Sequence, residues 1–198
     1  MRARGHGGIL ARAVFIPNAM GRLRVMAKRL ILTFIADDQP GLVERLAKSV
    51  ADAGGNWLDS RMAHLAAKFA GIAEIEIADD GIAGLQAQLD DLSADGFHLV
   101  VEEAGDDAAP DGSVFEIELL GPDHPGIVRD ISHCLAERGV SVEDMETDIR
   151  DAPHAGGTLF HAHARLRAPA GLSDADLRDS LEILAGTLMV DITVGKIL

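Results

Sequence analysis

The sequence predicts two α+β domains, each with the element order βαββαβ, and three observations carry that prediction. The hexapeptide Asp38-Gln39-Pro40-Gly41-Leu42-Val43 recurs as Asp123-His124-Pro125-Gly126-Ile127-Val128, an offset of 85, and a repeat of that length is a whole domain rather than a solenoid unit. Each copy passes through apolar runs of strand and of helix period in the same order. Between the copies, residues 105–112 (Gly105-Asp106-Asp107-Ala108-Ala109-Pro110-Asp111-Gly112) are polar and rich in breakers, which reads as a linker. A chain of 198 residues with 47% hydrophobic content and a mean hydropathy of +0.13 can fill two small cores.

In the first copy, residues 30–36 form a short apolar strand. Asp38 is expected to cap the helix that follows, with Pro40 in its first turn. Leu42, Val43, Leu46, Ala47 and Val50 recur at helical spacing, and Gly54-Gly55 stops the helix with residues that tolerate a left-handed conformation. Residues 56–67 and 69–78 read as two strands of a hairpin turning around Ala67-Lys68, with Ile75 and Ile77 alternating with Glu74 and Glu76 as on a half-buried sheet. Ile82, Leu85, Leu89 and Leu92 mark a second helix, and residues 97–102 a fourth strand.

The second copy runs through residues 114–120, 125–138, 140–149, 158–167, 173–186 and 189–197 in the same order. At the same offset Leu46 falls on Ile131, Ala51 on Ala136, Gly54 on Gly139 and Asp59 on Asp144. An antiparallel four-stranded sheet with both helices on one face, the ferredoxin-like arrangement, accommodates that order in each copy. The expected organisation is a basic leader over residues 1–29, a first domain over 30–104, a linker over 105–113 and a second domain over 114–198.

Charge is unevenly distributed. Residues 1–29 hold seven basic residues and no acid, while the remainder holds 11 basic against 32 acidic residues, a net −21. So acidic a body repels a phosphate backbone, and direct nucleic-acid binding is not expected of it. The leader has three readings: a targeting segment, although Arg12 and Pro17 break its apolar stretch; a nucleic-acid arm; or a disordered tail or over-long start ahead of Met26. Every apolar stretch is broken well short of the roughly 18 to 20 residues a membrane helix needs, so no membrane association is expected. The single cysteine, Cys134, allows neither an intramolecular disulfide nor a multi-thiolate metal site and fits a reducing, cytoplasmic setting.

The Asp-x-Pro-Gly segments lie where the first strand turns into the first helix. There the unsatisfied amides of a helix start offer a site to a carboxylate. A βαββαβ unit with Asp-x-Pro-Gly at its first turn resembles an ACT domain, the amino-acid-sensing module of metabolic regulators. The stretches Asp37-Asp38-Gln39-Pro40-Gly41-Leu42-Val43 and Asn56-Trp57-Leu58-Asp59-Ser60-Arg61-Met62-Ala63 further resemble the glycine cleavage system transcriptional repressor family, over about residues 30–198. The resemblance implies a ligand pocket at the interface between ACT units, framed by the first turn and the start of the second strand. Its residues would be Asp38, Gln39, Pro40, Gly41, Leu42, Asn56 and Trp57, matched in the second copy by Asp123, His124, Pro125, Gly126, Ile127, Ser141 and Val142. Backbone amides would hold the ligand carboxylate, with Asn56 adding a hydrogen bond that the shorter Ser141 reproduces less well, which favours the first copy.

Other residues read as structural. Phe160, Ala162, Ala164 and Leu166 alternate as a core face, which places His161 and His163 outside with Arg165 and Arg167. A zinc site involving them and His154 is not expected. Cys134 reads as a small core residue, and Trp57 as an anchor of the sheet. Neither a phosphate loop, nor a dinucleotide fingerprint, nor a G-x-S-x-G elbow occurs. The expectation is therefore a non-enzymatic regulator, free of cofactors and a homodimer. The resemblance implies that it senses a small amino acid, glycine or serine, and acts on a protein such as a transcriptional activator to control glycine cleavage genes. The alternative is a free-standing regulatory subunit of an amino-acid metabolic enzyme.

Overall fold

The computed structural model describes residues 27–105, 111–152 and 156–197. The expectations for residues 1–26, for most of the linker and for His154 lie outside them. The chain divides into two compact units between Asp106 and Asp107.

The first unit runs β1 (Ala27–Asp37), α1 (Leu42–Asp52), β2 (Asn56–Leu65), β3 (Lys68–Ala78), α2 (Ile82–Ala94) and β4 (His98–Glu103), with a single 3-10 turn, Asp79–Gly81, leading into α2. The second runs β5 (Gly112–Pro122), α3 (Ile127–Ala136), β6 (Ser141–Asp151), β7 (Thr158–Pro169), α4 (Asp174–Leu188) and β8 (Asp191–Ile197). Each sheet is antiparallel and four-stranded, in the orders β2-β3-β1-β4 and β6-β7-β5-β8. This is the predicted ferredoxin-like fold, twice.

One face of each sheet carries the core. In the first unit Leu30, Leu32, Phe34 and Ala36 alternate inward from β1 with Ile75 and Ile77 of β3. Leu42, Leu46 and Val50 of α1 and Leu85, Leu89 and Leu92 of α2 cover them. Spacings of three and four place those side chains on one stripe of each helix. Val43 belongs to the helix, as its spacing predicts, but not to its buried stripe: it is 43% exposed. The second unit repeats the scheme with Phe115, Ile117 and Leu119 under Ile127, Ile131, Leu135, Leu177 and Leu181. Cys134 is buried, and Phe160, Ala162, Ala164 and Leu166 line the core face of β7, as the sequence predicts.

The repeat extends to irregular features. A register shift interrupts β2 between Trp57 and Asp59 and β6 between Val142 and Asp144. Gly54 and Gly139 take positive φ after the first helix of each unit, and Gly55 N–H bonds back to Val50 C=O as Val140 N–H does to Leu135 C=O. These close the helix ends as predicted. The hairpin turns differ between the units. Between β2 and β3 the chain turns through Ala66 and Ala67 with φ of 49° and 62°, a left-handed conformation that L-residues with a Cβ resist. Replacing Ala67 with Gly is expected to raise stability by up to about 1 kcal/mol, read as a higher urea midpoint at unchanged slope.

Candidate functional site

The turn between β1 and α1 does not cap the helix as the sequence suggests. The N-cap residue is Gly41, in the left-handed region at φ 91°, and its counterpart before α3 is Gly126 at φ 97°. Neither cap uses a side-chain hydrogen bond. Asp38 and Asp123 sit farther back, each tied by its own N–H to the adjoining strand hairpin: Asp38 to Ala67 C=O at 3.0 Å, and Asp123 to Thr158 C=O at 3.0 Å. The expectation that Asp38 caps α1 is thus corrected. The Asp-x-Pro-Gly segment closes the strand end and then enters the helix through a residue without a Cβ. His64 Nε2 lies 3.6 Å from Asp38 Oδ2, a second link between the turn and the hairpin.

This arrangement frames a cavity of about 250 Å³ lined by Asp38, Gln39, Gly41, Leu42, Val43, Glu44 and Phe69. Four of these are residues singled out from sequence. Val43, Glu44 and Phe69 are additions: Val43 and Glu44 lie on the exposed side of the first helical turn, and Phe69 stands just after the hairpin turn, its ring 5.9 Å from that of Phe34. Leu42, Val43 and Phe69 give the lining its apolar part, Asp38 and Glu44 add two carboxylates, and the first N–H groups of α1 have no acceptor inside the helix. Together they suit a small zwitterion.

Asn56 and Trp57 do not join this cavity. Asp37 pairs with Lys68 at one end of the sheet, whereas Asn56 pairs with Glu76 at the other. Eight residues of β3 separate the two levels, about 26 Å at strand rise. The physical reason is the path of the chain: α1 runs back along the sheet, so the strand after it begins at the far end. Trp57 packs against the first core, in keeping with an anchoring role. Ser141 and Val142 are displaced in the same way, paired with Arg167 and Leu166 while the Asp123 turn lies beside Thr158. A pocket framed by the first turn together with the start of the second strand is therefore not formed within either unit.

The outer face of the second sheet holds a charged cluster that sequence reasoning missed. His161 lies outside the core as predicted, yet its side chain is only 13% exposed. Nδ1 is 2.7 Å from Asp148 Oδ1 on β6, and Nε2 is 3.2 Å from Glu118 Oε1 on β5. Arg150 bonds Asp148 and brings Nη2 to 2.7 Å from Nδ1. The hydrogen bond to Asp148, then that to Glu118, raises the His161 pKa above its ordinary 6.5, while burial and Arg150 oppose the rise. With a pKa raised in the folded state, the stabilisation is complete below 6.5 and is lost as pH climbs through the folded value. Melting temperature is expected to fall over that interval, and His161→Gln should flatten this part of the profile. No group of three or more His, Cys, Asp or Glu suited to a metal ion occurs among the described residues. Nor, among them, is any helix long and apolar enough to cross a membrane.

The sequence profile of the ACT domain matches residues 28–101, spanning β1 to β4 and with them the whole cavity. The first unit is an ACT domain, and the second repeats its fold. Among solved structures, an unknown protein from Galdieria sulphuraria is 25% identical, with a TM-score of 0.75 over 87% of this chain and 100% of its own. A protein provisionally named a glycine cleavage system transcriptional repressor is 19% identical, with a TM-score of 0.65 over 87% of this chain and 98% of its own. That second likeness establishes the tandem fold. Among curated protein sequences none matches. The family match falls on the first unit, and the second shares its strand order and fold.

Proposed function

We propose that this protein is a non-enzymatic regulator that binds a small amino acid at the β1–α1 turn of its first ACT unit and reports occupancy through contact with a protein partner. The observation that carries the reading is the cavity at that turn, lined by Leu42, Val43 and Phe69 together with the carboxylates of Asp38 and Glu44, at the start of α1. Ligand binding there bridges α1 and the β2–β3 hairpin, since the lining includes both Glu44 and Phe69, and so favours one arrangement of the two. The named likeness to a glycine cleavage repressor supports transcriptional control of glycine or related amino-acid metabolism as the setting. The partner is then a protein activator, because a body of net charge −21 outside residues 1–29 disfavours DNA itself. The edge strands β2, β4, β6 and β8 offer unpaired backbone to a second copy, which supports a homodimer.

A thermal-shift series with the common amino acids tests the reading. Glycine or serine at about one hundred times its dissociation constant is expected to add about 2.7 kcal/mol of stability and to raise the melting temperature accordingly. A panel without any shift overturns the sensor and leaves the turn a structural joint.

A further inference from the structure

The two turns carry opposite charges at two adjacent positions: Glu44-Arg45 in the first unit stands where Arg129-Asp130 stands in the second, at the offset of 85. In the first unit Arg45 is drawn away from the turn, bonded to Asp95 with its guanidinium over the Phe97 ring, 5.2 Å from the centroid. Glu44 remains at the cavity, its Oε2 3.8 Å from where a Cβ on Gly41 would stand. In the second unit Nη2 of Arg129 stands 3.1 Å from the matching point on Gly126, while its Nε donates to Asp130 at 2.8 Å. The second turn thus holds a cation of its own where the first presents an anion.

An amino acid brings both charges on one carbon. The start of α1 supplies N–H donors and the positive end of a helix dipole for the carboxylate. Neither can receive an ammonium group, which needs an acceptor close to those amides, and Glu44 lies in the first turn of the same helix. Building on the sensor reading, we infer that Glu44 is the specificity-determining residue that receives the ligand's ammonium group, and that Arg129 keeps amino acids out of the second turn by covering Gly126 and repelling that group. The chain then takes one amino acid, in the first unit.

Titration calorimetry of the full chain with glycine and with serine tests this, using wild type, Glu44→Gln and Arg129→Glu. Both side chains are exposed, so neither change disturbs a core. One ligand per wild-type chain is expected, with affinity about tenfold or more weaker in Glu44→Gln, where a neutral amide replaces the charge-assisted acceptor. Arg129→Glu is expected to gain a second site. Unchanged affinity in Glu44→Gln, two ligands per wild-type chain, or an Arg129→Glu chain that still binds one overturns this inference and leaves the sensor standing. A wild type that binds neither amino acid overturns both.

Discussion

Phe34→Ala is expected to destabilise the first unit by about 3–5 kcal/mol, the range for emptying an aromatic site in a close-packed core. Phe34 is 2% exposed on the core face of β1, a strand paired on both sides. Its ring also leans on Phe69, which lines the cavity at the β1–α1 turn. The same truncation therefore lets Phe69 sink into the vacated volume and weakens glycine or serine binding. Leu119→Ala supplies the comparison, since Leu119 is fully buried at the matching position of β5. It should cost about 2–5 kcal/mol and leave the ligand response intact. Denaturant midpoints give the first quantity, and ligand-dependent melting shifts of each variant give the second. Equal loss of ligand response in the two variants would mean that general destabilisation, and not the Phe34–Phe69 contact, governs binding.

Gly41→Val is expected to abolish the ligand response. At φ 91° a β-branched side chain is strained by about 2 kcal/mol, and its added methyls enter the space that Gly41 lines. Gly126→Val meets similar strain at φ 97°, but at a turn already covered by Arg129. The two variants should lose similar stability while only the first loses the melting shift with glycine or serine. A response that survives Gly41→Val places the ligand elsewhere. The pH dependence centred on His161 belongs to the other unit and should be unaffected by Gly41→Val.

Much of the fold is legible because it depends on short-range regularities. The alternation of Ile75 and Ile77 with Glu74 and Glu76 reports a half-buried strand, and all four residues take the faces it assigns. Glycine at 54 and 139 marks the helix ends because a left-handed residue there is cheapest without a Cβ. Element edges are less legible. Asp38 and Pro40 look like a helix start by residue type, yet the N-cap falls on Gly41, whose C=O accepts the first intrahelical bond, from the Arg45 N–H. The non-glycine turn at Ala66 and Ala67 carries no local mark, and the position of Val43 depends on rotation of α1 over the sheet.

The sequence by itself determined the duplication, the element order, the core alternation and the place of the two Asp-x-Pro-Gly turns between strand and helix, since each is written in neighbours or in a fixed offset. Tertiary structure decided which residues share a site. It separated Asn56 from Asp38 by the length of a strand, brought Phe69 and Glu44 to one cavity, and joined His161 to Asp148 and Glu118 across three strands. The reason is register: residues near in sequence can lie at opposite ends of a strand, and a site gathers whatever the pairing of strands and the path of the helix bring level with one another.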